Sequence, residues 1–201
     1  MENNFIKILK QYPKNEILEK SKKIPDLSKD VVFNHYIYLL EFVNNIQKNN
    51  ITDLIGLIHM CYGWMPTMYK KSNISLYSNK ELINDLWQNV KEGSLDEKYL
   101  KTLKTISNNS IKGSSKLLHF CNPEMYAIYD TRVFNSIVGR KQSDTTVNNI
   151  DYFIYYIKTL REWSKDKDFI SEIKNILNKK NPIINNFSNL RCIEICFFYN
   201  K

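Results

Sequence analysis

The sequence of 201 residues has none of the short signatures that most directly announce an enzyme class. It contains no glycine-rich phosphate loop, no nucleophile elbow and no H-E-x-x-H motif, which excludes the usual routes to P-loop nucleotide hydrolysis, α/β-hydrolase chemistry and zinc proteolysis. Cysteine is sparse: Cys61, Cys121, Cys192 and Cys196 form no C-x-x-C pair, and no clustered set of four is present to hold an iron–sulfur cluster. Cys192 and Cys196 lie one helical turn apart, so they are either two core thiols or half of a ligand set, and their apolar surroundings favour the core. His35, His59 and His119 show no metal-ligand spacing beyond the two residues separating His59 from Cys61. No metal and no cofactor are expected.

Long apolar runs are missing as well. The most apolar window, Val31 to Ile46, is interrupted by Asn34, His35, Glu41, Asn44 and Asn45, and is too short and too polar to span a bilayer. The opening MENNFIKILKQYPKNE holds no sustained apolar stretch, so a secretory signal is not expected and a cytoplasmic location is. No alternating strand pattern flanked by hairpin turns, no internal repeat and no long linker is found.

What the chain does have is bulk and positive charge. Thirteen Tyr, ten Phe and three Trp supply core material without any need for disulfides. The net charge is +8, which favours an acidic partner, most commonly nucleic acid, although lysines scattered over solvated helix faces would give the same total. Helical periodicity dominates. A short opening helix around Phe5, Ile8 and Leu9 stops near Pro13. A helix over Ser28 to Lys48, capped by Ser28 and apolar nearly all round, should be buried on most sides. Further helices are expected over Thr52 to Tyr62, ended by Gly63 and Pro66, then over Asn79 to Lys91 and Leu95 to Ile106, separated by Gly93. Val147 to Trp163 carries the cleanest apolar stripe, and Phe169 to Leu177 and Leu190 to Phe198 complete the set. The expected fold is all-α: one helical domain over residues 1–201, or two interlocked helical lobes sharing a core.

The stretch 101–138 reads KTLKTISNNSIKGSSKLLHFCNPEMYAIYDTRVFNSIV. A helix ends near Ile106, and a tight turn rich in Asn, Ser and Gly follows over Ser107 to Ser115. A second helix then begins with Ser114 or Ser115 as its cap, its N-terminal N–H groups facing outward in a manner suited to a DNA phosphate. Asn122 and Pro123 break that helix, Tyr126 to Tyr129 run extended, and Asp130 caps a helix over Thr131 to Val138.

This constellation resembles the helix-hairpin-helix DNA glycosylase superfamily, most closely its 8-oxoguanine glycosylase-like branch, with residues 96–139 as the hairpin and active-site segment. GSSK places Lys116 at the family's lysine position and AIYD places Asp130 at its aspartate position; Lys112 is the alternative nucleophile. The resemblance implies excision of a damaged or modified base flipped from double-stranded DNA, with or without AP-lyase cleavage, by a protein expected to be monomeric. It implies an unprotonated lysine attacking the sugar C1′ to form a Schiff base, and an aspartate stabilising the cationic sugar or orienting the nucleophile. A lysine titrating near its ordinary value of about 10.4 is protonated at neutral pH, so the site must depress that value. Lys116, read as a first-turn residue, would be helped by the positive end of its helix, with burial supplying more.

Around this pair, Asn109, Ser110, Lys112, Gly113, Ser114 and Ser115 are candidates for the DNA backbone. Arg132 would either reach a phosphate or pair with a carboxylate. Tyr62, Trp64 and Met65 would wall a base pocket or simply belong to the core. His119 is counted with them as a base-pocket candidate, as a half-buried polar residue rather than a proton shuttle, and Tyr126 and Tyr129 would pack beneath the hairpin. Two other readings compete with the enzyme. One is a non-catalytic DNA-binding module that keeps the hairpin for phosphates alone; the other is a helical protein-interaction factor.

Overall fold

The computed structural model describes residues 4–48, 50–64 and 79–200. Among them the chain is all-helical, with twelve α-helices, one 3-10 turn and no strand. In chain order the helices are α1 (Asn4–Lys10), α2 (Lys14–Lys22), α3 (Val31–Asn44), α4 (Ile51–Trp64), α5 (Lys80–Glu92) and α6 (Glu97–Ile106). They continue as α7 (Ile111–Cys121), α8 (Thr131–Val138), α9 (Asp144–Val147), α10 (Ile150–Trp163), α11 (Lys167–Asn178) and α12 (Asn189–Phe198), the 3-10 turn Pro182–Asn186 preceding α12.

Two helices organise the packing. On α7 every residue from Gly113 to Phe120 is buried, because α3, α4, α5 and α6 pack around it. On α12 every residue from Leu190 to Phe197 is buried, enclosed by α2, α8, α10 and α11. The N-terminal helices α1 and α2 pack into this second group rather than beside α3, so the two helical groups interlock and share one continuous apolar core. A helix enclosed on all sides is normally apolar all round. Polar residues on α7 and α12 therefore call for partners or for a function.

Several boundaries differ from the sequence reading. Helix α3 begins at Val31 with Asp30, not Ser28, as its cap: Asp30 Oδ1 accepts from Phe33 N at 2.9 Å. It is not buried on most sides, since Val31, Val32, Tyr38 and Phe42 are exposed. Gly63 lies inside α4 rather than ending it, and Pro66 falls outside the described residues. The stripe expected over Val147 to Trp163 is interrupted. Helix α9 ends at Val147, Asn149 caps a new helix, and Asn148 between them is drawn out to hold the α6–α7 turn. No described helix is long and apolar enough to cross a membrane.

Candidate functional site

The α6–α7 turn is built by asparagine, not glycine. Asn108 and Asn109 adopt φ of 55° and 54°, the left-handed region that Asn tolerates better than most residues. Asn148 clasps this turn from outside: its Oδ1 accepts from Ile111 N at 2.8 Å and its Nδ2 donates to Asn109 O at 2.9 Å. The cap of α7 is Ser110, whose Oγ accepts from Gly113 N at 3.2 Å, so the expectation of Ser114 or Ser115 as cap is corrected. Two of the first three N–H groups of α7 are thus bonded within the protein rather than turned outward. Gly113 is needed for close approach: a Cβ there would collide with the Tyr62 hydroxyl, which donates to Ser107 O at 2.8 Å. Tyr62 therefore braces the turn.

With α7 starting at Ile111, Lys116 is its sixth residue and lies beyond the reach of the helix terminus, which acts within the first turn. The first-turn lysine is Lys112, which belongs to the helix and not to the loop. Lys112 is engaged, donating to Asp144 Oδ1 at 2.8 Å. Lys116 is only 9% exposed, and its ammonium makes no hydrogen bond or ion pair among the described residues. Burial pushes its pKa down from the ordinary lysine value, opposed by the Asp130 carboxylate nearby. Desolvation, not the helix dipole, is what moves this lysine toward its neutral form.

Asp130 caps α8, its Oδ1 accepting from Arg132 N at 2.9 Å and Val133 N at 3.0 Å. Both contacts use one oxygen, which leaves Oδ2 free of that duty. Asp130 and Lys116 line the same cavity of 300 Å³, together with Tyr62, Ser110, Lys112 and Thr131. Lys116 also lines a second cavity of 410 Å³, enclosed by Phe33 and Val32 of α3, Trp64 of α4, Arg132 of α8, and Arg191, Glu194 and Phe198 of α12. The lysine therefore stands in the wall between two recesses, with a carboxylate on one side and an apolar, aromatic enclosure on the other.

The other candidate residues divide. Ser110 and Lys112 border the smaller cavity, and Asn109 is exposed beside it. Ser114 and Ser115 are fully buried: Ser114 Oγ donates to Ser110 O, while Ser115 Oγ lies between Lys112 O and Tyr129 O and accepts from Tyr129 N. Their hydroxyls hold the extended segment before Asp130 against α7. Among the described residues Arg132 forms no ion pair; it stacks on the Phe198 ring at 4.9 Å, so the carboxylate, one of its two expected partners, is not found there. Of the aromatic group, Trp64 lines the larger cavity, Tyr62 the smaller, and Met65 lies outside the described residues.

His119 is fully rather than half buried. Its Nδ1 sits 2.7 Å from Tyr126 O and so carries the proton, while Nε2, 2.6 Å from the Tyr36 hydroxyl, accepts. Burial pushes its pKa down to about 3, and it lines neither cavity. Cys192 and Cys196 are buried core thiols, and no group of three or more His, Cys, Asp or Glu among the described residues could hold a metal.

Sequence reasoning missed Arg191 and Glu194. Both are buried and form an ion pair one turn apart on α12, the only fully buried pair among the described residues. Arg191 Nε and Glu194 Oε1 have no hydrogen-bond partner among the described residues, a condition that costs about 1–3 kcal/mol for each buried group. Burial drives the Glu194 pKa up to about 7. The signal was present in NLRCIEICFF, where two opposite charges at spacing three interrupt a helix apolar on every face. No family model, no curated protein and no solved structure matches the chain.

Proposed function

We propose that the protein is a DNA glycosylase, with Lys116 as nucleophile and Asp130 as the stabilising carboxylate. The observation that carries the reading is the position of Lys116: buried, without a partner among the described residues, pushed toward neutrality, and shared by a cavity that holds Asp130 and a larger one walled by aromatic rings. A flipped base needs an apolar, stacking enclosure of the kind that Phe33, Trp64 and Phe198 form. The sugar of the same nucleotide needs an amine within reach of C1′ and a negative charge to offset the cation that forms as the base leaves. In this scheme the neutral Lys116 amine forms a bond to C1′ as the glycosidic bond breaks. The base leaves with the glycosidic electron pair and takes up one amine proton, and the second passes to the sugar ring oxygen as the C1′–O4′ bond opens, which gives the Schiff base. The resemblance of the GSSK-to-AIYD segment to helix-hairpin-helix glycosylases and the net charge of +8 support the same reading.

The test is borohydride trapping on a panel of lesion duplexes, 8-oxoguanine included, with base release scored separately. Lys116→Gln should abolish the covalent adduct and Lys112→Gln should retain it. Asp130→Asn, which keeps a capping side chain, should leave the fold intact and lower base release by at least about 100-fold, the scale of losing one charge aimed at a developing cation. Absence of both adduct and base release across the panel would overturn the assignment.

A further inference from the structure

Helix α3 has an apolar face on each side, and the fold uses only one of them. Phe33, Tyr36 and Val43 point inward and are buried. Four of the five large apolar side chains exposed among the described residues, Val31, Val32, Tyr38 and Phe42, stand on the same helix. Tyr38 is 68% exposed and Phe42 52%. Single exposed apolar residues are ordinary, but a group of them on one short helix forms a patch that calls for a cover.

The spacing of the patch is regular. Val31, His35, Tyr38 and Phe42 are all exposed and follow one another at intervals of four, three and four. At about 100° per residue they fall in one narrow stripe along the outer side of α3, the a/d pattern of a coiled-coil seam. The stripe also reads the same from either end of the helix. In an antiparallel pair related by a two-fold axis, a positions meet d positions, so Val31 faces Phe42 of the partner subunit and His35 faces Tyr38 of the partner subunit. Val32 and Leu39 flank the stripe on one side and come together across the axis, which extends the apolar contact.

Charge distinguishes a second copy from other occupants. None of the 29 Lys and Arg of the chain falls between Lys29 and Lys48, although the net charge is +8. Two such chains repel wherever their lysines face each other, and along α3 they meet without that repulsion. A nucleic acid or an anionic membrane would need the cations that this face lacks. The area is modest. Tyr38 and Phe42 from both copies hide roughly 400–600 Å² together, against about 1,200–2,000 Å² for a standard interface. That size implies a reversible dimer, not an obligate one.

We propose that the outer face of α3 is a homodimer seam, in which α3 pairs antiparallel with α3 of a second copy across a two-fold axis. The inference is independent of the glycosylase reading, since Val31, His35, Tyr38 and Phe42 line neither cavity described above. It departs from the monomer that the resemblance implies.

The experiment is sedimentation equilibrium of the full chain between about 1 and 200 µM. The native mass should rise from that of one chain to that of two and stop there, with a Kd on the order of 10 µM. Tyr38→Lys puts a cation opposite His35 and should weaken association by at least about tenfold, the scale of removing a central aromatic anchor. Because the side chain is exposed, its circular-dichroism spectrum should stay native. A labelled Tyr38→Lys chain should then bind a His35→Glu chain at least about tenfold more tightly than it binds itself, since the antiparallel register sets position 38 against position 35. The proposal is overturned if the native chain stays monomeric throughout, if its mass grows past two chains, if Tyr38→Lys associates as the native chain does, or if His35→Glu restores nothing. Flotation of a monomeric native chain with phosphatidylcholine vesicles, lost in Tyr38→Lys, assigns the face to a lipid surface and likewise overturns it.

Discussion

Lys112 and Lys116 are the same residue type one helical turn apart, yet they occupy opposite chemical situations. Lys112 holds Asp144 at the surface, whereas Lys116 is enclosed with no partner among the described residues. Residue type and spacing alone left the choice between them open, because the difference comes from α3, α4 and the Asp130 segment closing over α7. Glu194 is the complementary case on α12, a carboxyl held by burial at a pKa of about 7 against an ordinary 4.5. Its titration has a definite consequence for stability. Below about pH 4.5 it is protonated in both folded and unfolded chains. Between 4.5 and 7 the unfolded chain releases the proton while the folded one retains it, so the native state loses ground as pH rises and levels off above about 7. His119 acts in the opposite sense: it stays neutral in the fold down to about 3 against an ordinary 6.5, so its contribution is lost as pH falls through that interval. The difference in unfolding free energy between the native chain and Glu194→Gln isolates the glutamate, and urea melts should show it changing by at least about 1 kcal/mol from pH 4.5 to 7.5. A difference that stays flat means that Glu194 is ionised throughout.

At the scale of elements, helix positions were largely legible because apolar spacing survives any detail of packing, and Asp130 as a cap was legible because capping is local. What could not be read locally was set by contacts distant in sequence. The apolar stripe of Val147 to Trp163 continues unbroken past Asn148, but that side chain is pulled away to clasp Ile111 N and Asn109 O. The same contacts start α7 at Ile111 with Ser110 as its cap, which moves Lys116 out of the first turn and changes the reason its pKa falls. Gly113 is another such residue: it reads as a turn glycine, but its lack of a side chain serves the Tyr62 hydroxyl that braces Ser107. Gly113→Ala should therefore destabilise the chain by about 1–3 kcal/mol through overpacking. Tyr62→Phe removes the colliding oxygen along with one hydrogen bond, so the double variant should be more stable than the sum of the single losses, by about 1 kcal/mol. Strict additivity in thermal or urea melts would show that the two residues do not meet.

At the scale of the whole molecule, a charge of +8 says only that an acidic partner is attracted; where such a partner lies depends on which cations stand beside the site. Composition could not reveal this, because most lysines are spread over solvated faces and several are already paired, as Lys165 is with Glu162 at 2.7 Å. Arg132 differs in being exposed, in having no carboxylate partner among the described residues, and in lining the larger cavity two residues beyond Asp130. A duplex seated over the two cavities would bring a phosphate to it, and each phosphate neutralised steepens the salt dependence of binding by about 0.9 in the slope of log K against log salt. Arg132→Gln should weaken binding to any duplex and reduce that slope by about 1, whereas Lys165→Gln, remote from both cavities in its lining contacts, should leave it unchanged. Equal effects from the two substitutions in fluorescence-anisotropy titrations between about 50 and 200 mM salt would mean that DNA is attracted by the charge of the whole surface, with no preferred seat at the cavities.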